Sequence, residues 1–337
     1  MTHLEPMEPA DAVELYLTEK ESEVSEWTLY SHGSRLGHFT RWCDEKSIDN
    51  LNDLTGRDLK RYKLWRRDDG DLNNVTLKTQ MDTLRVFIRW CESIDAVTPD
   101  LSVKVESPNL DHNDNVREVM LDPDDGKEVL DYLRKYEYAS IGHVTLTLLW
   151  RCSLRRGAAV SLDVDDYDSG SQQITVRHRP ETGTPIKNKA RGERVIALQA
   201  SVCELLNDWI ADQRPDVTDE HGREPLLATS QGRIHGQTVQ RHVYAYTRPC
   251  VYSNQCPVER DPETCDAAQS RSAASGCPES VSPHAIRRGS ITNYLQNEVP
   301  KPVLSDRANV SVDVLDKHYN EMTESEKAEQ RRQFFRE

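Results

Sequence analysis

The chain has 337 residues and a formal net charge of −14, from 57 acidic and 43 basic side chains. That length exceeds one ordinary core, so two domains are expected, and the longest apolar run, Val144 to Trp150, is far too short to span a bilayer. The amino terminus lacks a basic segment followed by an apolar core, so no secretory signal is read and a cytoplasmic protein without membrane association is expected. Its eight cysteines are then core thiols or metal ligands rather than a disulfide framework.

The acidic surplus argues against a basic surface over the whole chain, yet arginine outnumbers lysine 30 to 13. Such a balance suits solubility in concentrated salt, as in a halophilic archaeal or viral source, and equally suits contacts between guanidinium and phosphate.

Apolar spacing predicts four helices in the first hundred residues, near Pro9–Lys20, Ser25–Glu45, Gly56–Asp68 and Val75–Ser93. In the fourth, Leu77, Met81, Leu84, Ile88 and Cys91 recur at spacings of 4, 3, 4 and 3, which marks a buried seam with Lys78, Arg85 and Arg89 lying off it. The third opens on Thr55 and Asp58 as a capping pair and puts Arg57, Lys60, Arg61 and Arg67 on the side opposite Leu59, Tyr62 and Trp65. Taken alone such a helix reads as a solvated charged face, and these seven cations are at the same time the candidate contacts to nucleic acid of a helical domain spanning residues 1–94.

Residues 95–117, hydrophilic and broken by Pro99 and Pro108, read as a linker. The second domain, residues 118–337, starts with helices near Pro123–Lys135 and Ser140–Trp150. Two strand-like runs follow, Gln173–His178 and Arg194–Leu198, joined by a basic, turn-rich loop. Helices return near Ser201–Gln213 and Gly236–Tyr246, and again from Pro283, where Ser282 caps. The fold class is therefore mainly α with a small β-sheet.

Candidate chemistry lies at four places in this second domain. Arg155 sits in a turn after an apolar helix, and Lys189, with Lys187 nearby, sits in the loop between the two strands. His284 and Arg287 share a helix face with Ile291 and Leu295, close to an amino terminus whose free N–H groups favour an anion. Tyr319 stands in LDKHYNEMTESEK, before a helix expected to start near Thr323.

This order, with Ser153, Leu154 and Arg155 similar to a Gly-Leu-Arg motif and with His-x-x-Arg ahead of a Tyr, resembles the tyrosine recombinase (phage integrase) family over most of the chain, in a haloarchaeal type. The resemblance implies an all-helical core-binding (SAM-like) domain and an α+β catalytic domain. It implies a site-specific recombinase that cuts and rejoins duplex DNA through a covalent 3′-phosphotyrosyl link, as a homo-tetramer on synapsed DNA, with accessory DNA-bending proteins as further partners and no cofactor required for catalysis. Arg155, Lys189, His284, Arg287 and Tyr319 match the family's catalytic set, with Tyr319 as nucleophile.

Two positions depart from the family pattern. Ala158 stands where an acid three residues after the first arginine is usual, and Val310 stands where a second histidine or a tryptophan is usual. Asn309, Arg307 and His318 are the candidate substitutes, the first two closest in sequence. These departures keep a degenerate, DNA-binding-only chain as the alternative, and a type IB topoisomerase shares the chemistry but not the helical amino-terminal domain. Finally, residues 250–280 form a Cys-rich insertion in which Cys250, Cys256, Cys265 and Cys277 are candidate ligands of a structural zinc. Cys43, Cys91, Cys152 and Cys203 read as core.

Overall fold

The computed structural model describes residues 4–110, 119–318 and 332. The chain divides into two compact units, residues 1–116 and 117–337.

The first unit holds α1 (Pro9–Lys20), α2 (Glu26–Glu45), α3 (Gly56–Asp69) and α4 (Asn74–Ser93). Local capping sets three of the starts: Ser25 and Asn73 accept from the third residue beyond them, and Thr55 and Asp58 close a reciprocal capping box. The α4 seam of Leu77, Met81, Leu84, Ile88 and Cys91 is buried, and it packs with Tyr16, Phe39, Trp42, Tyr62 and Phe87. Several of these rings meet edge to face, Phe39 and Tyr62 at 5.4 Å between centroids and Tyr16 and Phe87 at 5.5 Å.

A linker starting at residue 95 is corrected here. Ala96, Val97, Leu101 and Val105 are buried in this core, and a 3-10 turn at Ser102–Lys104 is pinned by Glu92, which accepts from the Ser102 N–H at 2.6 Å. The polar neighbours Asp95 and Asp100 mask an apolar set that has no helical or strand period.

The second unit runs α5 (Pro123–Tyr136), α6 (Ile141–Arg151), α7 (Arg156–Val160), strands β1 (Tyr167–Asp168), β2 (Gln173–Val176) and β3 (Arg194–Ala197), and α8 (Ala200–Asp208). The strands form one antiparallel sheet in the order β1-β2-β3, with Ile174 opposite both Tyr167 and Ile196. A small hairpin of β4 (Ala228–Thr229) and β5 (Gly232–Arg233) precedes α9 (Gly236–Tyr246). The short α10 (Pro249–Tyr252) and α11 (Asp266–Gln269) lie inside the Cys-rich segment, and after it come α12 (Pro283–Gln296), α13 (Lys301–Ala308) and α14 (Val312–His318). The helix expected near Thr323 falls outside the described residues.

Helix α6 is the centre of the core, with Val144, Leu146, Leu148 and Leu149 essentially inaccessible. Helix α12 bridges two clusters: Ala285 and Ile286 belong to the main core, while Ile291 and Leu295 pack with Leu304, Ala308 and Leu315 of α13 and α14. Close approach depends on Gly289, where a Cβ would stand 1.9 Å from the Leu121 carbonyl oxygen. The Leu121 N–H also donates to the Ala285 carbonyl at 3.2 Å. Among the described residues no helix is long and apolar enough to cross a membrane.

Candidate active site

The backbone between α6 and α7 aims Arg155. Ser153 adopts a left-handed φ of +48°, an arrangement that costs an L-residue about 1–2 kcal/mol. Its buried hydroxyl is held to the Ser290 hydroxyl at 2.6 Å, and Ser290 lies in turn 2.5 Å from the Trp150 carbonyl. Arg155 then occupies the position before α7 with an extended backbone and without a capping bond from its side chain. Its guanidinium donates to the Asn309 side-chain oxygen at 3.2 Å and to the Asn309 carbonyl at 2.9 Å.

Asn309 is the hub of the site. It closes α13 in a left-handed conformation, φ +49°, which asparagine tolerates well. Besides Arg155, its side-chain oxygen accepts from the Asn188 amide at 2.6 Å, and its own amide donates to the Arg191 carbonyl at 2.8 Å. Asn188 and Arg191 flank Lys189 in the β2–β3 connection, where Asn188 and Lys189 are both left-handed and Lys189 opens a 3-10 turn ending at Gly192. Gly192 is needed for that turn, since a Cβ there would lie 2.4 Å from the Lys187 carbonyl. Lys189 is exposed. One side chain therefore ties the first candidate arginine to the loop that carries the candidate lysine.

Arg287 is 2% exposed and donates to the carbonyl groups of Ser153 and, at 2.5 Å, Ala308. One turn earlier, His284 is exposed at the helix entry, where Ser282 accepts from the Ala285 N–H at 3.3 Å. The stripe of His284, Arg287, Ile291 and Leu295 thus runs from the surface inward. Arg155, His284 and Arg287 line a single cleft of about 350 Å³ together with Arg156, Gly157, Gln240, Ser282 and Pro283. Arg155 also borders a second cleft of about 650 Å³, lined by Asn188, Arg191, Arg194 and Asn309 among others. Burial, with Arg155 and Arg307 adding like-charge repulsion, pulls the Arg194 guanidinium down to about 10, a measure of how much positive charge gathers here.

Of the three candidate substitutes for the missing histidine, Asn309 contacts Arg155, whereas Arg307 is a brace. It donates to the Ala197 and Arg151 carbonyls at 2.9 Å each, and its guanidinium lies 5.8 Å from the Tyr294 ring centre. The side chain of His318 and all of Tyr319 lie outside the described residues. Arg288 is as buried as Arg287, but the cleft is lined by Arg287. Sequence reasoning missed Asn188, Arg191 and Gln240. Only Asn188, a residue type that accepts a left-handed turn beside a lysine in a basic loop, carried any signal.

In the first unit Arg57, Lys60, Arg61, Arg67 and Arg89 are exposed, with Leu59 and Tyr62 buried on the opposite side of α3. Several of these cations are paired on the surface: Lys60 with Glu106 at 3.2 Å, Arg61 with Asp58 at 3.2 Å and Arg67 with Asp68 at 2.7 Å. Lys78 pairs with Asp82 at 2.8 Å. Arg85 is engaged within its own unit, donating twice to the Val105 carbonyl, at 3.0 and 2.7 Å, and to Ser107 and Asp82.

All four cysteines of residues 250–280 border one small cavity. Among the described residues no group of three or more His, Cys, Asp or Glu stands ready to hold a metal.

The model of the phage integrase family matches residues 120–325, and that of the phage integrase N-terminal SAM-like domain matches residues 14–93. No curated protein sequence matches. Among solved structures, the Tn1549 transposon integrase in complex with a circular intermediate DNA is 15% identical over 97% of this chain and 99% of its own, with a TM-score of 0.63. A lambda integrase dimer bound to a COC′ core site is 14% identical over 94% and 100%, with a TM-score of 0.62. The N-terminal domain of a phage integrase/site-specific recombinase from Haloarcula marismortui is 32% identical over 31% of this chain and 99% of its own, with a TM-score of 0.30.

Proposed function

The chain belongs to the phage integrase family, the tyrosine recombinases that cleave and rejoin DNA, and on that premise we propose that its second unit is a competent catalytic domain that cuts duplex DNA through Tyr319. The observation that carries this reading is the convergence of Arg155, His284 and Arg287, from the α6–α7 turn and from α12, on one cleft.

In the proposed reaction the scissile phosphate enters that cleft, and the two guanidiniums meet the charge that develops on its non-bridging oxygens. The Tyr319 phenol, whose ordinary pKa is about 10, passes its proton to His284 as its oxygen attacks phosphorus. The bond from phosphorus to the deoxyribose 5′ oxygen breaks, and Lys189 protonates that oxygen as it leaves. A 3′-phosphotyrosyl link results, and attack by a 5′ hydroxyl reverses the steps, so neither a nucleotide nor a metal enters the chemistry. Asn309, next to the Val310 position where a second histidine is usual, accepts from Arg155 and so orients it, a task the residue at position 158, an alanine, cannot perform.

The partner is duplex DNA, as the bound DNA in the lambda and Tn1549 complexes supports, with synapsis by four copies and accessory DNA-bending proteins as the working assembly. The acid-rich, arginine-rich composition supports a halophilic archaeal source and a cytoplasmic place of action. A duplex carrying a nick beside the cleavage position, which lets the 5′ fragment diffuse away, tests the proposal. A covalent protein–DNA adduct that survives denaturant is expected. Tight binding to such duplexes without adduct would favour the degenerate binder that Ala158 and Val310 motivate.

A further inference from the structure

Residues 250–280, all of them described, separate α9 from α12, and within them the buried side chains are those of Ala267 and Ala274. Val251 and Tyr252 add partial packing against the main core, which together is still little apolar surface to offset the entropy of ordering so long a segment. Its helices, α10 and α11, have four residues each. Some other interaction has to organise it.

The four cysteines supply one. Cys250, Cys256, Cys265 and Cys277 all line a cavity of about 20 Å³, and Arg248 and Arg260 line it with them. That volume is close to the roughly 10–15 Å³ a single water-sized body needs. Cys256 opens a turn in which the Glu259 N–H donates to the Cys256 carbonyl at 3.0 Å and the Arg260 N–H donates to the Cys256 sulfur at 3.3 Å, with Glu259 left-handed at φ +53°. Cys277 opens a second turn, closed by the Ser280 N–H on its carbonyl at 3.2 Å, and a proline follows each of these two cysteines.

We infer that Cys250, Cys256, Cys265 and Cys277 are the ligands of one structural zinc ion. Soft sulfur donors select zinc over hard cations, and a full set of four closes the coordination sphere, as in structural rather than catalytic sites. Four thiolates and one dication carry a net charge of −2, and two arginines, Arg248 and Arg260, line the same cavity. All four thiols border the one cavity that the ion would fill. The ion would join the chain just after α9 to the chain just before α12. There the Val281 N–H donates to the Thr247 hydroxyl at 3.0 Å, and Ser282 caps α12.

Full-length protein purified with a reductant and no chelator should contain about one zinc per chain. Replacement by cobalt should give the visible absorption of a tetrahedral thiolate site. Alkylation read by mass spectrometry should find these four cysteines protected, and reactive once a chelator is added. Paired substitution C250S and C277S should abolish zinc content. If that variant does not fold, the wild-type metal and alkylation measurements decide alone. Folded protein that binds neither zinc nor cobalt, with these four thiols alkylated at once or joined as disulfides, overturns the site.

Discussion

Arg287 and Arg61 are both guanidiniums expected to meet phosphate, but Arg287 is 2% exposed and bonded to the carbonyls of Ser153 and Ala308, whereas the side chain of Arg61 is 64% exposed beside Asp58. Carbonyl oxygens orient a cation without cancelling its charge. An ion pair on a guanidinium this exposed contributes only about 0.2–1 kcal/mol, little enough for a phosphate to replace it. Under the proposed function, the second unit thus holds Arg287 rigid before substrate arrives, as stabilisation of a transition state requires, while the α3 cations keep partners that a phosphate can displace. Rigid placement serves rate, and exchangeable pairing serves affinity.

Substitutions separate these two roles. The largest effect is expected for Tyr319→Phe, which should lose all covalent adduct on a nicked duplex and keep its affinity in a mobility-shift assay; a surviving adduct would move the nucleophile elsewhere. Next, Arg287→Ala should lower the single-turnover cleavage rate about 10²- to 10³-fold, the usual consequence of removing one charge-stabilising donor. Near-normal cleavage in that variant, with a large loss in Arg288→Ala, would reassign the role. Asn309→Ala should slow cleavage by about 10- to 100-fold, from the roughly 1.5–3 kcal/mol of a hydrogen bond to a charged group, while leaving affinity for DNA unchanged. If binding fell and cleavage at saturation did not, Asn309 would be a DNA contact instead of a positioning residue.

The smallest effect on rate belongs to the other region. Replacing Arg57, Lys60 and Arg61 together by Gln should weaken binding alike on all duplexes and flatten the dependence of log affinity on log salt by about 0.9 for each phosphate that is no longer neutralised. Cleavage at saturating protein should stay as in the wild type. An unchanged salt slope would leave α3 as a solvated surface only.

Legibility in the sequence followed how local the cause was. Helix α1 begins and ends where its proline and periodicity place it, and the capping box of Thr55 and Asp58 announces α3. The α4 seam reads straight from spacing. Helices α13 and α14 went unread because they are short and their buried residues, Leu304, Ala308 and Leu315, are too few to set a period. The function of Asn309 was legible only as one of three alternatives. Its choice over Arg307 depends on a left-handed backbone and on partners 154 and 121 positions away in sequence. Arg85 lies off the seam as expected, yet its engagement with Val105 could not be foreseen while that stretch read as linker. The arrangement of Arg155, His284 and Arg287 was inferred from a family pattern, since no periodicity brings residues so far apart to one cleft.

The close passage of Leu121 over α12 has a mechanical side. Within the second unit the Leu121 backbone is hydrogen-bonded to Ala285 and abuts Gly289, where a Cβ would have only 1.9 Å of clearance from the Leu121 carbonyl oxygen. Ala285 is the neighbour of His284, and Gly289 lies two residues beyond Arg287. That backbone contact is a fixed stop for the helix presenting both candidate residues, so any side chain larger than hydrogen at position 289 would have to displace the helix or the chain at Leu121.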